Sequence, residues 1–250
     1  MSTDFNGTTS RVTVGTSALL NNAQPFTVMA WASLDGAAEG AVRLFAKGSS
    51  NTFNSGEWGL FYQAGNVRFL KEGGGTDLSR ASTFSALAVI QTDGRMYHIA
   101  CSWTGANATG GVRLFVDGEE VTYGGALNTT CNTLVSDSGH KLIIGNCEDQ
   151  TRTWNGRIAH AQFFRKVLTQ DQIRQAMRHP GTVLAMGSPT AVGTAGLIGY
   201  WPMDAFGALV YDYSGCGHHG TPTTAVPNSQ TPAVNEVFTI NAPGGCYAAC

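Results

Sequence analysis

Side chains able to do chemistry are sparse in this chain, and their spacing argues against most catalytic uses. The densest acidic groups are Glu119-Glu120 and Glu148-Asp149. Glycoside hydrolysis on a β scaffold needs two carboxyl groups straddling one bond, so acids should alternate along one strand face. Adjacent acids point to opposite faces of a strand, and both pairs therefore read as solvated turn acids. No GxSxG, HExxH or P-loop pattern occurs. Gly215-Cys216-Gly217-His218-His219-Gly220 fits the letters of a dinucleotide fingerprint. A phosphate-cradling loop must open a helix, however, and Thr221-Pro222-Thr223-Thr224 does not continue as one. It reads as a glycine turn.

The same stretch holds Cys216 beside His218 and His219, with Cys246 and Cys250 further on. Zinc requires four converging ligands, and only Cys216 with one of the histidines is local. A disulfide joining two of Cys216, Cys246 and Cys250 is the stronger expectation. Glycan binding would use an exposed aromatic platform ringed by amides and carboxylates. Asn51, Asn54 and Trp58 lie in or beside one polar loop, 49–56, and are the candidate glycan site. Trp58 opens a strand, where an indole is more often core than platform. Trp31, Trp103 and Trp201 read as core.

Composition narrows the partners. Fifteen Lys plus Arg against 17 Asp plus Glu leave a formal charge of −2, without the basic footprint of a nucleic-acid or anionic-membrane binder. Charged residues make up 13% and apolar residues 42%, too apolar for disorder, and no apolar run is long enough to span a membrane. Neither nucleic acid nor membrane is expected as a partner. The N-terminus lacks a basic and then apolar leader, so no signal peptide is expected. Six cysteines form no CxxC pair.

Positioning falls to short β-type runs bounded by Gly, Asn, Asp or Ser: 11–14, 26–34, 42–47, 58–63, 66–71, 96–104, 112–116, 119–123, 141–144 and 156–164. Asp117-Gly118 is the strongest hairpin signal, and Gly65-Asn66 plays a similar part between 58–64 and 67–70. Val112, Leu114 and Val116 give one strand an aliphatic face. One helix is predicted. Thr169 and Gln172 form a capping box, Leu168 and Ile173 a hydrophobic staple, and His179-Pro180-Gly181 ends the element. The pattern predicts an all-β, two-sheet antiparallel jelly-roll sandwich with one short helix. One domain is expected over 1–221, completed by the segment 197–214, followed by a Pro-rich extended tail over 222–250.

In order along the chain, Phe5-Asn6-Gly7-Thr8-Thr9-Ser10, Phe26-Thr27-Val28-Met29-Ala30-Trp31, Leu44-Phe45-Ala46-Lys47-Gly48 and Tyr97-His98-Ile99-Ala100 are followed by Leu114-Phe115-Val116-Asp117-Gly118. Leu142-Ile143-Ile144-Gly145, Trp154-Asn155-Gly156-Arg157-Ile158 and Leu168-Thr169 complete the series. Together these resemble the laminin-G-like, concanavalin A-type jelly-roll family. The family often carries an acidic pair after the position of Ile158, where this chain has Ala159-His160. The stretch from Gly199 to Gly215 looks like the strand and turn that usually precede the jelly roll, and here it follows.

That permuted order resembles short proteins of this family in tailed bacteriophages. The resemblance implies a non-enzymatic virion surface protein, a capsid decoration or head fibre with a lectin-like fold. It would be made in the host cytoplasm, homo-oligomeric on the particle, and in contact with the major capsid protein or other virion proteins. A glycan-binding adhesin for host or mucosal glycans is the alternative, and a glycan hydrolase the least favoured reading. No cofactor is expected. Calcium, common in the wider family, is left open with Asp204 and Asp212 as weak candidate ligands; an Asx cap is the favoured role of Asp212.

Overall fold

The alternation over 112–116 sets the pattern of the fold. In strand β9 (Val112–Val116), Val112 and Leu114 enter an inner core, while Phe115 faces the other way and is equally buried. A strand buries both faces only when each side of its sheet is covered. A second sheet covers one side and a helix the other. The structure, a computed structural model, describes residues 2–36, 40–50, 52–83, 94–124, 129–180, 196–203 and 208–228.

Among these residues eight strands form the first sheet. Its order is β10 (Glu119–Glu120), β9, β8 (Tyr97–Trp103), β3 (Phe26–Ala32), β12 (Asn155–Phe164), β1 (Ser2–Asn6) and β15 (Val226–Asn228), with β13 (Leu197–Trp201) also on β12. Seven strands form the second sheet: β14 (Thr221–Thr223), β2 (Arg11–Gly15), β11 (Leu142–Ile144), β4 (Ala41–Lys47), β5 (Trp58–Gln63), β6 (Asn66–Lys71) and β7 (Leu78–Ala81). The pairings are antiparallel. The expected two-sheet sandwich is what the chain forms.

Aromatic rings fill the space between the sheets. Phe26 packs at 4.7 Å from Trp58 and at 5.5 Å from both Trp103 and Phe163, measured between ring centroids. Burying each such side chain stabilises the fold by on the order of 2–3 kcal/mol. Trp103 and Trp201 sit in this core as expected, whereas Trp31 belongs to the outer layer beneath the helix.

Helix α1 (Gln170–Arg178) covers the outer face of the first sheet. The Thr169 hydroxyl accepts from Gln172 N–H, and Gln172 Oε1 accepts from Thr169 N–H at 3.0 Å, which is the expected capping box. Leu168 and Ile173 are both buried in the cluster with Met29, Phe115, Phe164 and Tyr200. Below the helix, the register of β12 slips between Ala159 and Gln162. At that bulge His160 takes a φ of 48°, a conformation uncommon for a residue with a side chain.

Several expectations need correction. The β5–β6 turn is made by Ala64 and Gly65, both at positive φ, one residue earlier than Gly65-Asn66. The 119–123 run pairs with β9 over β10 and through Val121 N–H to the Leu114 carbonyl at 3.0 Å; Tyr123 instead bridges Ser82 at the edge of the other sheet. The boundary expected at 221 runs through β14, and 221–228 joins both sheets. Pro222 and Pro227 fit there because β14 and β15 are edge strands, where a missing N–H is tolerated. The rest of the predicted tail lies outside the described residues.

Within the segment 197–214, Tyr200, Trp201 and Met203 are each 3% exposed or less, whereas Tyr211 is exposed. β1 pairs with the first half of β12 and β13 with the second. Strands from the two ends of the chain thus share one side of β12.

Candidate functional site

The polar loop singled out from the sequence is built from beneath by buried charges. Glu57 is fully buried, and its carboxylate accepts from Ser49 N–H at 2.8 Å, the Ser49 hydroxyl at 2.6 Å and Asn54 N–H at 2.8 Å. His140 Nδ1 lies 3.3 Å from the same carboxylate. Lys71 donates to the carbonyls of Gly56 and Val135, and burial pushes its ammonium down to about 8. Lys47 and Asp137 form a buried ion pair at 2.9 Å, and burial also lowers Lys47.

This architecture gives Asn54 and Trp58, two of the three expected glycan residues, opposite fates. Asn54 is exposed, but its amide is committed to the Ser49 hydroxyl at 3.1 Å. Trp58 is 1% exposed, and its indole N–H donates inward to Asp137 at 3.0 Å, so it offers no face to a ligand. Asn51 lies outside the described residues. The described part of the loop is therefore tied down to Glu57 and offers no aromatic face.

Among the described residues, an exposed ring lies at another corner. Tyr211 is 50% exposed, between buried Val210 and buried Asp212. Its ring meets His219 edge-on, with centroids 5.4 Å apart and planes at 73°. Asp212 organises the turn beneath them. One carboxylate oxygen accepts from Tyr200 N–H and Ser214 N–H, both at 2.8 Å. The other accepts from the Ser214 hydroxyl and His218 N–H, both at 2.9 Å. The Asx role favoured for Asp212 is the observed one.

Two histidines finish the corner. Asp212 N–H donates to His219 Nδ1 at 3.0 Å, so in the neutral ring the proton sits on Nε2. His218 Nδ1 lies 2.6 Å from the carbonyl of Ile198, which leaves Nε2 to accept from the Ser17 hydroxyl at 2.8 Å. That bond clips the turn to residues 17–20, where Ser17 also accepts from Leu20 N–H. Chemically, the corner is a half-exposed phenol ring beside an exposed imidazole with one N–H donor, both on a turn whose polar groups are satisfied. It can stack on an apolar sugar face and donate to a hydroxyl.

The remaining candidates are accounted for by structure. With four donors on its two oxygens, Asp212 does not fit a calcium ligand, and Asp204 lies outside the described residues. No group of three His, Cys, Asp or Glu suited to a metal occurs among the described residues. Cys216 is disulfide-bonded, whereas Cys101, Cys131 and Cys147 are free thiols; Cys246 and Cys250 lie outside the described residues. Gly215 and Gly217 take positive φ, and strand β14 rather than a helix follows. Glu148 accepts from Lys141 N–H, and Asp149 from Thr151, as turn acids do. No described helix is long and apolar enough to cross a membrane.

Comparison with known proteins agrees with this architecture. A crystal structure from Bacteroides ovatus, described as a candidate carbohydrate-binding protein, aligns with a TM-score of 0.58 at 16% identity. The alignment covers 94% of this chain and 61% of that one, so the chain spans about three-fifths of that protein's length. A heptameric SAP-like pentraxin from Limulus polyphemus aligns over 70% of this chain and 80% of its own at 14% identity, TM-score 0.48. Mouse laminin α1 domains LG4-5 align over 68% and 43%, at 14% identity and TM-score 0.47. No curated protein sequence matches the chain. Residues 6–174 match the family model described as the concanavalin A-like lectin/glucanases superfamily, and with two-thirds of its length inside that match the chain belongs to this superfamily.

Proposed function

We propose that this protein binds carbohydrate without cleaving it, and that the Tyr211–His219 corner carries the contact. The supporting observation is the pairing of a half-exposed tyrosine ring with an imidazole whose outward N–H is fixed by Asp212. An aromatic face takes the C–H side of a pyranose, and the adjacent donor takes a ring or hydroxyl oxygen. The densest acidic pairs are occupied in turns and ion pairs, which favours binding over hydrolysis. The test is a glycan array probed with the full chain, followed by incubation of any bound glycan with the protein. Retention of a defined glycan set without release of reducing ends supports the proposal. Binding to no glycan, or release of reducing ends, contradicts it.

A second reading concerns where the protein works: on the surface of a bacteriophage particle, held by the major capsid protein or another virion protein. The supporting observation is the chain order, in which β13 joins β12 from the C-terminal side beside β1. Mass spectrometry of purified particles should then recover the chain in many copies. Its absence from the particles contradicts this placement.

A further inference from the structure

Two buried lysines lie under the polar loop, and their acceptors differ in kind. Lys71 donates to the backbone carbonyls of Gly56 and Val135. Lys47 reaches side chains as well. Its Nζ donates to the Leu20 carbonyl at 3.1 Å, to Asn21 Oδ1 at 2.8 Å and to Asp137 Oδ1 at 2.9 Å. An amine, a carboxamide and a carboxylate therefore converge on one point. These are the nucleophile, the acyl carbon and the proton carrier that transfer of an acyl group between side chains requires.

Each group is held by an element of its own. Lys47 ends β4, with its side chain wholly shielded from solvent. Asn21 stands in a turn closed by two bonds to the Ser17 carbonyl, from Leu20 N–H at 3.1 Å and Asn21 N–H at 2.9 Å. Asp137, 3% exposed, is locked against the same turn. Asn22 N–H donates to its Oδ1 at 2.7 Å, and its own N–H donates to Asn22 Oδ1 at 3.1 Å. The Trp58 indole N–H donates to Asp137 Oδ2 at 3.0 Å. Trp58 and Leu20 are both buried, so little water reaches the amine. Burial lowers the Lys47 ammonium, which makes the neutral, nucleophilic amine easier to form. Fixing the amine against the carboxamide makes the attack intramolecular, for which effective molarities on the order of 10⁵–10⁸ M are attainable.

We propose that Lys47 and Asn21 become joined by an intramolecular isopeptide bond, formed with Asp137 as the proton carrier. The Lys47 ammonium passes one proton to the Asp137 carboxylate. The freed lone pair attacks Asn21 Cγ, and the carbonyl electrons move to Oδ1. Asp137 delivers its proton to Nδ2 and takes another from the attacking nitrogen. The carbonyl re-forms, the Cγ–Nδ2 bond breaks, and ammonia leaves as ammonium with the proton from Asp137. Nothing is oxidised or reduced. A secondary amide replaces the ion pair, and Asp137 ends ionised with the donors from Asn22 and Trp58 still in place. The bond ties residues 26 apart in the chain. It restrains the unfolded chain as a disulfide does, without needing an oxidising compartment.

The experiment is intact-mass spectrometry of the purified full chain, followed by tryptic peptide mapping. The wild type should weigh about 17 Da less than its sequence requires, the mass of one ammonia. Trypsin should fail to cut after Lys47 and should release residues 12–43 linked to 44–68 as one species. Succinimides at Asn6-Gly7 or Asn155-Gly156 would lose the same mass but link no peptides, so the linked species is the deciding readout. Asn21→Ala and Lys47→Arg should each show the full mass and separate peptides. Asn21 is only half-buried, so Asn21→Ala covers the case in which Lys47→Arg misfolds. Asp137→Asn should stay unlinked as well. Three outcomes overturn the proposal: a wild type at full mass, a lighter wild type whose peptides separate, or a link that persists in Asn21→Ala. Linkage of Asp137→Asn to the wild-type extent would overturn the role given to Asp137.

Discussion

The backbone N–H of Asp212 donates to Nδ1 of His219 at 3.0 Å, and that bond decides which ring nitrogen carries the proton. The same residue's carboxylate gathers four donors from Tyr200, Ser214 and His218. Asp212 thus fixes both the shape of the turn and the polarity of the exposed edge beside Tyr211. It touches no ligand and positions the groups that would.

Asp212→Ala should therefore be costly. It removes the acceptor of four buried or half-buried donors, and leaving such groups unpaired is expected to destabilise the fold by about 3–5 kcal/mol. Asp212→Asn keeps one carbonyl oxygen and should lose less. Urea titration of both variants checks this; equal stability of wild type and Asp212→Ala would mean the turn is held by something else.

Acid should weaken the outer layer. His98 and His160 are buried under α1, and burial pushes them down to about 3 and about 4 from an ordinary value near 6.5. Neither ring nitrogen of His98 has a hydrogen-bond partner among the described residues. Because the folded state takes up these protons later than the unfolded one, stability is full above about pH 6.5 and falls as pH drops toward 4 and then 3. His160 alone should contribute on the order of 3 kcal/mol to that loss. Glu72, pushed up to about 7 by burial and a hydrogen bond to Asp77, acts in the opposite sense between about 4.5 and 7. The clean measurement is the difference in unfolding free energy between wild type and His160→Asn from pH 7 to 4, Asn being tolerant of the positive φ. The difference should shrink on acidification; a constant difference would contradict the assignment.

Helix α1 should report the integrity of the same layer. Thr169→Ala removes the cap and should cost about 1 kcal/mol, while Ile173→Ala empties a buried position and should cost about 2–4 kcal/mol. Thermal melts of both, with unchanged midpoints as the contrary result, decide whether the helix is part of the cooperative unit.

Under the polar loop, Lys47 and Asp137 should behave as one unit. Asp137→Ala strips the partner from Lys47 and the acceptor from Trp58 N–H, and should cost about 3–5 kcal/mol. Lys47→Met with Asp137→Asn removes both charges and should be milder than Asp137→Ala alone. A double variant that is worse would show that the charges themselves stabilise this end of the sandwich.

Much of this structure is legible in the sequence, for local reasons. The Asp117-Gly118 turn, the alternation in β9 and the box at Thr169 and Gln172 each depend on neighbours in the chain. What is not legible depends on distance. Strands β14 and β15 are hidden because Pro222 and Pro227 argue against strands unless the edge position is known. Trp58 looks available beside an Asn-rich loop until Asp137, 79 residues away, claims its N–H. For Tyr211 a signal does exist: it stands between inward-facing Val210 and Asp212, so alternation turns it outward. That signal competes with the more polar 49–56 loop, and only the buried Glu57 shows why that loop closes on itself.

The most direct test of carbohydrate binding at the Asp212 turn is isothermal titration of the best array glycan against wild type, Tyr211→Phe and Tyr211→Ala. Tyr211 is half exposed, so these variants should melt with the wild type. The account predicts that Tyr211→Phe keeps most of the affinity, since the stacking face remains, and that Tyr211→Ala loses about tenfold or more. Equal affinity of Tyr211→Ala and wild type for that glycan would contradict it.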